Sequence, residues 1–143
     1  GGPAVCELMS IDSKVEMTLV AAGRSRTVIG GRAANGLPVS LAIQAGPRVW
    51  LSAVIGDTDK HTKVGDQARD AFEHLRSTLA IARLGFRDVV DTTVYMRDTF
   101  EQPAFDAVFR QIFPTDPPAR TMTGARLVID PGLIEIQALA VRK

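Results

Sequence analysis

The stretch Lys63-Val64-Gly65-Asp66-Gln67-Ala68-Arg69-Asp70-Ala71-Phe72-Glu73-His74-Leu75-Arg76-Ser77-Thr78-Leu79-Ala80-Ile81-Ala82-Arg83-Leu84, followed by Val89-Val90-Asp91-Thr92-Thr93-Val94-Tyr95-Met96, carries the reading of the fold. In the first part Val64, Ala68, Ala71, Phe72, Leu75, Leu79 and Ala82 recur at steps of three and four, which makes one apolar stripe on a helix. Thr62 is placed to cap its start and Gly85 to stop it. The second part is rich in β-branched residues and reads as a strand.

Working outward, a second helix is expected over about Gln102 to Phe113, with Phe105, Val108, Phe109 and Ile112 on one side. Pro114, Pro117 and Pro118 end it. Strands are expected at Val39 to Gln44 and Arg48 to Ile55, with Ala45-Gly46-Pro47 as a hairpin turn between them. Two more follow near Met122 to Val128 and Leu133 to Val141, joined through Asp130-Pro131-Gly132. Gly23 to Pro38, with Gly30-Gly31 and Asn35-Gly36, reads as a loop or linker. Val15 to Ala21 reads as a further strand.

The fold class is therefore α+β, a sheet with two helices packed on one face. Ile134, Ile136, Ala138 and Ala140 of the last strand should meet the helices, and Glu135, Gln137, Leu139 and Val141 should face the other way. A sheet face of mixed polarity usually meets another subunit, which places Glu135 near a subunit boundary.

Composition narrows the function classes. Seventeen Lys and Arg against sixteen Asp and Glu give a net charge of +1, with no basic cluster, so no nucleic-acid partner is expected. No apolar run approaches the roughly 20 residues that span a bilayer, so no membrane partner is expected. No secretion signal is visible at the start of the chain. Its opening Gly1-Gly2-Pro3, without methionine, reads as a processed product, a fragment or a tagged chain. The lone Cys6 permits no internal disulfide and reads as a small apolar side chain in a reducing, cytoplasmic setting. His61 and His74 lack metal-ligand spacing, so no structural zinc is expected.

Two residues suggest chemistry. Arg120, in Pro118-Ala119-Arg120-Thr121, offers a fork for a carboxylate. Glu135, in Leu133-Ile134-Glu135-Ile136, can move a proton or hold a water. Trp50 and Tyr95 read as core, and Asp57 and Asp59 as a helix-leading turn rather than a calcium loop. Ser40 and Ser52 lack a histidine and an acid at any telling spacing, so a serine hydrolase is not expected.

From Pro38 to Lys143 the chain resembles the Rid family (YjgF/YER057c/UK114, or L-PSP endoribonuclease-like). The resemblance rests on Ala42-Ile43, Gly46, Gln67-Ala68-Arg69, Asp88 to Tyr95, Pro118-Ala119-Arg120, Ile134-Glu135-Ile136 and Ala140-Val141-Arg142. It implies a chorismate-mutase-like α+β domain assembled as a homotrimer with clefts between subunits. It also implies hydrolysis of small reactive enamines and imines of 2-amino acids to 2-keto acids and ammonia, of the 2-iminobutanoate/2-iminopropanoate deaminase type, without metal or organic cofactor. Carried over, Arg120 would bind the carboxylate of a small substrate and Glu135 would orient or activate water. Three positions depart from the active pattern: Val39 stands for a tyrosine, Ala53 (after Ser52) for a glycine and Asp106 for an asparagine. With Ser52 and Arg120 they make up the expected binding residues. Asp106 would disfavour a simple anionic acid unless it is paired. The alternative is a non-catalytic Rid-like module that binds a keto acid or serves in assembly. Ribonuclease activity, which the older family name implies, finds little support in the charge balance.

The expected division is an N-terminal strand and linker over residues 1–35 and a Rid-like domain over 36–143. Pro3-Ala4-Val5 and Ile11-Asp12 through Ala21 look like a degraded copy of the tail around Pro118 to Ile136. They read either as the end of a preceding module or as a chance extension, with Val15 to Ala21 added to the sheet edge.

Overall fold

The computed structural model describes residues 21, 25–32 and 38–143. Cys6 and the strand expected from Val15 lie outside the described residues, apart from Ala21. The described strands are β1 (Arg26–Arg32), β2 (Ser40–Ala45), β3 (Arg48–Ile55), β4 (Val89–Met96), β5 (Ala119–Gly124) and β6 (Ile134–Val141). The helices are α1 (Val64–Ile81) and α2 (Gln102–Ile112). The sheet runs β1-β2-β3-β6-β4-β5. All neighbours are antiparallel except β4 and β5.

The connections explain why both helices share one face. β3 and β4 each lie antiparallel to β6 and so run the same way. Each of the crossovers β3–α1–β4 and β4–α2–β5 moves in the same direction across the sheet. Crossovers between parallel strands are right-handed, which puts both helices on the same side. The last strand then slides into the middle of the sheet.

Register assigns every side chain to a face. One row crosses the sheet as Ile29, Ala42, Leu51, Ala138, Thr92 and Arg120. It faces the helices, and all but Arg120 are buried. The row beside it runs Val28, Ile43, Trp50, Leu139, Asp91 and Ala119 on the bare face. Ile134, Ile136, Ala138 and Ala140 are buried under the helices, as their alternation predicts. Between the helices sit five of the six phenylalanines: Phe72, Phe86, Phe105, Phe109 and Phe113. Each fully buried ring or leucine there contributes roughly 1.5–3 kcal/mol.

Four expectations need correction. The segment read as loop carries β1. Its Gly30 and Gly31 lie at φ +72° and +71°, where the pairing with β2 shifts register. A glycine pair inside a strand marks such a bulge as readily as it marks a loop. A side chain at Gly30 would also press on Leu41 Cδ1 at 2.7 Å. Second, β5 covers Ala119–Gly124 rather than Met122 to Val128, because its backbone partner is the parallel strand β4. Third, the N-cap of α1 is Lys63, without a side-chain cap bond, and not Thr62. Fourth, α1 stops before Gly85. Arg83 takes the left-handed turn at φ 57°, Leu84 N–H reaches Leu79 O at 2.8 Å and Arg83 N–H reaches Ala80 O at 2.9 Å. That is a Schellman closure with arginine where glycine is usual.

Arg83→Gly should raise the unfolding free energy by about 0.5–1 kcal/mol, since glycine adopts this turn without steric cost. A urea titration showing a lower midpoint for the variant would contradict this account. Gln67, 1 % exposed, donates from Nε2 to His61 O at 2.7 Å and accepts from Leu133 N–H at 2.8 Å. Gln67→Leu strands both partners and should cost about 2–5 kcal/mol, read as a drop in the same midpoint.

Candidate functional site

Arg120 lies on the edge strand β5 with its side chain on the helix side of the sheet, in register with Thr92. Two things hold it. Nη1 donates to Asp106 Oδ1 at 2.7 Å, and the guanidinium carbon lies 4.8 Å from the Phe109 ring centre and 5.5 Å from that of Phe105. All three partners come from one side of α2. Phe105 and Phe109 are one turn apart, and Asp106 stands between them in sequence. Both charged side chains keep 24 % of their surface exposed, so the pair remains reachable from solvent. The remaining donors of Arg120 have no hydrogen-bond partner among the described residues.

Glu135 lies on β6, in register with Ile55 on one side and Tyr95 on the other. It faces away from the helices. Burial pushes its carboxyl above the ordinary 4.5. The Tyr95 phenol is also pushed up, by burial first and then by the charge of Glu135. Tyr95 is itself buried, at 9 % exposure, and Trp50 is half-buried on the bare face.

The other expected residues gather beside Glu135. Ser52 and Ala53 form the irregular step between Leu51 and Val54, just before Ile55. Ser52 Oγ donates to Ser40 O at 2.6 Å, joining that step to the start of β2. Val39 precedes β2 and is exposed, as is Ala53. Asp106 alone sits with Arg120. The expected residues thus fall into two groups, Arg120 with Asp106 on the helix side, and Glu135 with Ser52, Ala53 and Val39 at the far end of β2, β3 and β6. One chain does not bring the arginine and the glutamate together.

Sequence reasoning took Phe105 and Phe109 only as core and missed them as the platform under Arg120. Their signal was the aromatic pair bracketing an acid, one turn apart on a helix. Tyr95 beside Glu135 depended on β6 pairing with β4, which spacing does not reveal. A shallow hollow of about 240 Å³, lined by His61, Asp66, Arg69, Asp70 and Glu73, opens on α1 and touches neither group. Asp57 accepts from Asp59 N–H at 3.1 Å and Lys60 N–H at 3.2 Å, the expected helix-leading turn. Lys60 also pairs with Asp57 at 2.6 Å.

The sequence profile of the family described as Endoribonuclease L-PSP matches residues 33–142. The chain belongs to this family, the Rid family. Among its relatives is a RutC family protein UK114 of Drosophila melanogaster, 33% identical over 110 residues, covering 73% of this chain and 79% of that one. A protein of Dermatophagoides farinae named 2-iminobutanoate/2-iminopropanoate deaminase is 27% identical over 109 residues, covering 73% and 85%. The crystal structure of a YjgF/YER057c/UK114 family member from Mycobacterium tuberculosis superposes with a TM-score of 0.74 at 27% identity, covering 82% of this chain and 99% of that chain. The Rid fold expected from the sequence is therefore the fold observed.

A carboxyl with a raised pKa binds its proton more tightly in the folded chain. The stability contributed by neutral Glu135 is complete below about pH 4.5 and is lost as pH rises through its raised folded value. Glu135→Gln keeps the neutral form at every pH. The urea midpoint of the variant relative to wild type should rise as pH increases from about 4.5 through the raised folded value of Glu135, and then level off. A difference that does not change with pH would contradict the burial of this carboxylate.

Proposed function

We propose that the protein hydrolyses small reactive enamines and imines of 2-amino acids to 2-keto acids and ammonia, in clefts completed between protomers of a homotrimer. The observation that carries this reading is the Arg120 guanidinium, braced on two rings, with donors that meet no partner among the described residues, within residues 33–142 that the family profile matches.

Water adds to C2 of the imine, the nitrogen takes up protons, and ammonia leaves as the keto group forms. The residues needed are a grip for the carboxylate and a group that holds water and moves protons. Arg120 supplies the grip. Glu135 supplies the proton traffic, and burial, which makes its carboxyl hold a proton more tightly than an ordinary one, favours that task. Because the two occupy opposite faces of one sheet, a working site takes Arg120 from one protomer and Glu135 from a neighbour. The bare face supports such assembly. Val28, Ile43, Trp50 and Leu139 form an apolar row across four strands, and none of them is fully buried within the chain. No helix among the described residues is long and apolar enough to cross a membrane.

Asp106 favours a second reading, a binding module. It already occupies one nitrogen of Arg120. An anion about 4 Å from the guanidinium gains about 4 kcal/mol at an effective dielectric near 20, and Asp106 a little farther off takes back a good part of it.

The deciding assay follows the loss of 2-iminopropanoate, made in place by an amino-acid oxidase. Arg120→Ala should abolish the acceleration, and Glu135→Gln should lower kcat by about a hundredfold or more. If the site is shared, mixing the two inactive variants and reassembling them should restore up to roughly a quarter of wild-type activity, the share of sites with both native residues. No acceleration by wild type, with pyruvate still bound, would select the binding module. A mixture that stays inactive would overturn the shared site.

A further inference from the structure

The contact between Arg120 and Asp106 has a consequence for what the site accepts. The ion pair is single-pronged: Nη1 meets Oδ1 at 2.7 Å. Among the described residues, the second oxygen, Oδ2, accepts only from Gln102 Nε2, at a long 3.4 Å. The rings of Phe105 and Phe109 already fix the guanidinium from one side, so its orientation does not rest on Asp106 alone. Arg110, one turn along α2, makes no ion pair with Asp106 among the described residues. What faces solvent is therefore a plus charge with donors that meet no partner among the described residues, next to a minus charge whose second oxygen is held only by a long hydrogen bond, both partly exposed.

A ligand with a carboxylate and nothing else meets attraction and repulsion together. A ligand with a carboxylate for Arg120 and a cationic, hydrogen-bond-donating nitrogen for Asp106 meets attraction twice. Resting on the deaminase reading above, we infer that Asp106 is a specificity-determining residue that selects imino acids carrying a second, positively charged nitrogen in the side chain. A neutral residue at this position would leave Arg120 to bind simple imino acids. Asp106 turns the same clamp toward zwitterionic ones.

The test uses imines made in place by an amino-acid oxidase from arginine, which carries the second cation, and from leucine, which does not. Wild type should favour the arginine-derived imine by about tenfold or more in kcat/KM. Asp106→Asn should bring the two within about twofold, mainly by improving the leucine-derived imine, while Asp106→Glu should keep the preference. A preference unchanged in Asp106→Asn overturns the inference. A second arm measures calorimetric binding of the stable keto acids 2-oxo-5-guanidinopentanoate and 2-oxo-4-methylpentanoate to the same proteins. If no protein consumes any imine, the deaminase reading falls, and this arm still decides. A guanidino preference that disappears in Asp106→Asn supports the role of Asp106, and equal binding in wild type overturns it.

Discussion

The seat of α1 on the end of β3 is the constraint on which the rest depends. Gly56 has no side chain, and Gln67 of α1 packs its backbone into that space, so a Cβ at Gly56 would collide with the Gln67 carbonyl and lie 2.7 Å from its Cα. The same Gln67 then uses its buried amide twice, on His61 O ahead of the helix and on Leu133 N–H ahead of β6. Three separate stretches of chain are joined at one buried group. Because a buried amide left without partners is costly, the arrangement tolerates no slip. Leu133 leads directly into β6, so this contact also sets where Glu135 falls against Ile55 and Tyr95.

From that register the division of the site follows. A strand sends alternate side chains to opposite faces, and a one-residue slip would exchange them. Arg120 ends the row that passes under the helices, whereas Glu135 belongs to the bare face. Among the described residues, helices cover only one side of the sheet, leaving a row of partly exposed apolar residues on the other. The face that asks for a partner subunit is the face that carries the glutamate, which connects assembly with chemistry in the proposed mechanism. Aromatic rings orient Arg120, and a partly exposed carboxylate balances it at modest cost, as expected of a partly solvated pair.

Much of this was legible in residue order. The apolar stripes of α1 and α2 are long and periodic, and the alternation in β6 named its buried face correctly. Arg120 and Asp106 were both visible as types of interest, but their pairing was not. The signals that misled were local ones. Gly30-Gly31 has the look of a loop, yet it is a bulge whose neighbours pair with β2. Thr62 has the chemistry of a cap, yet the helix starts after Lys63. Ala119 and Arg120 follow three prolines and carry no strand pattern. They are strand because β4 offers them a backbone edge.

The chain by itself determined the class of fold, the two helices, the inward face of the last strand and the family, because periodicity and residue type are properties of neighbours in sequence. Only the tertiary structure decided which acid meets Arg120, that Tyr95 stands beside Glu135, and that arginine and glutamate are parted by the sheet. Those facts depend on the strand order, in which β6 inserts between β3 and β4. That order arises from non-local hydrogen bonding and shared burial, which leave no mark at any fixed spacing along the chain.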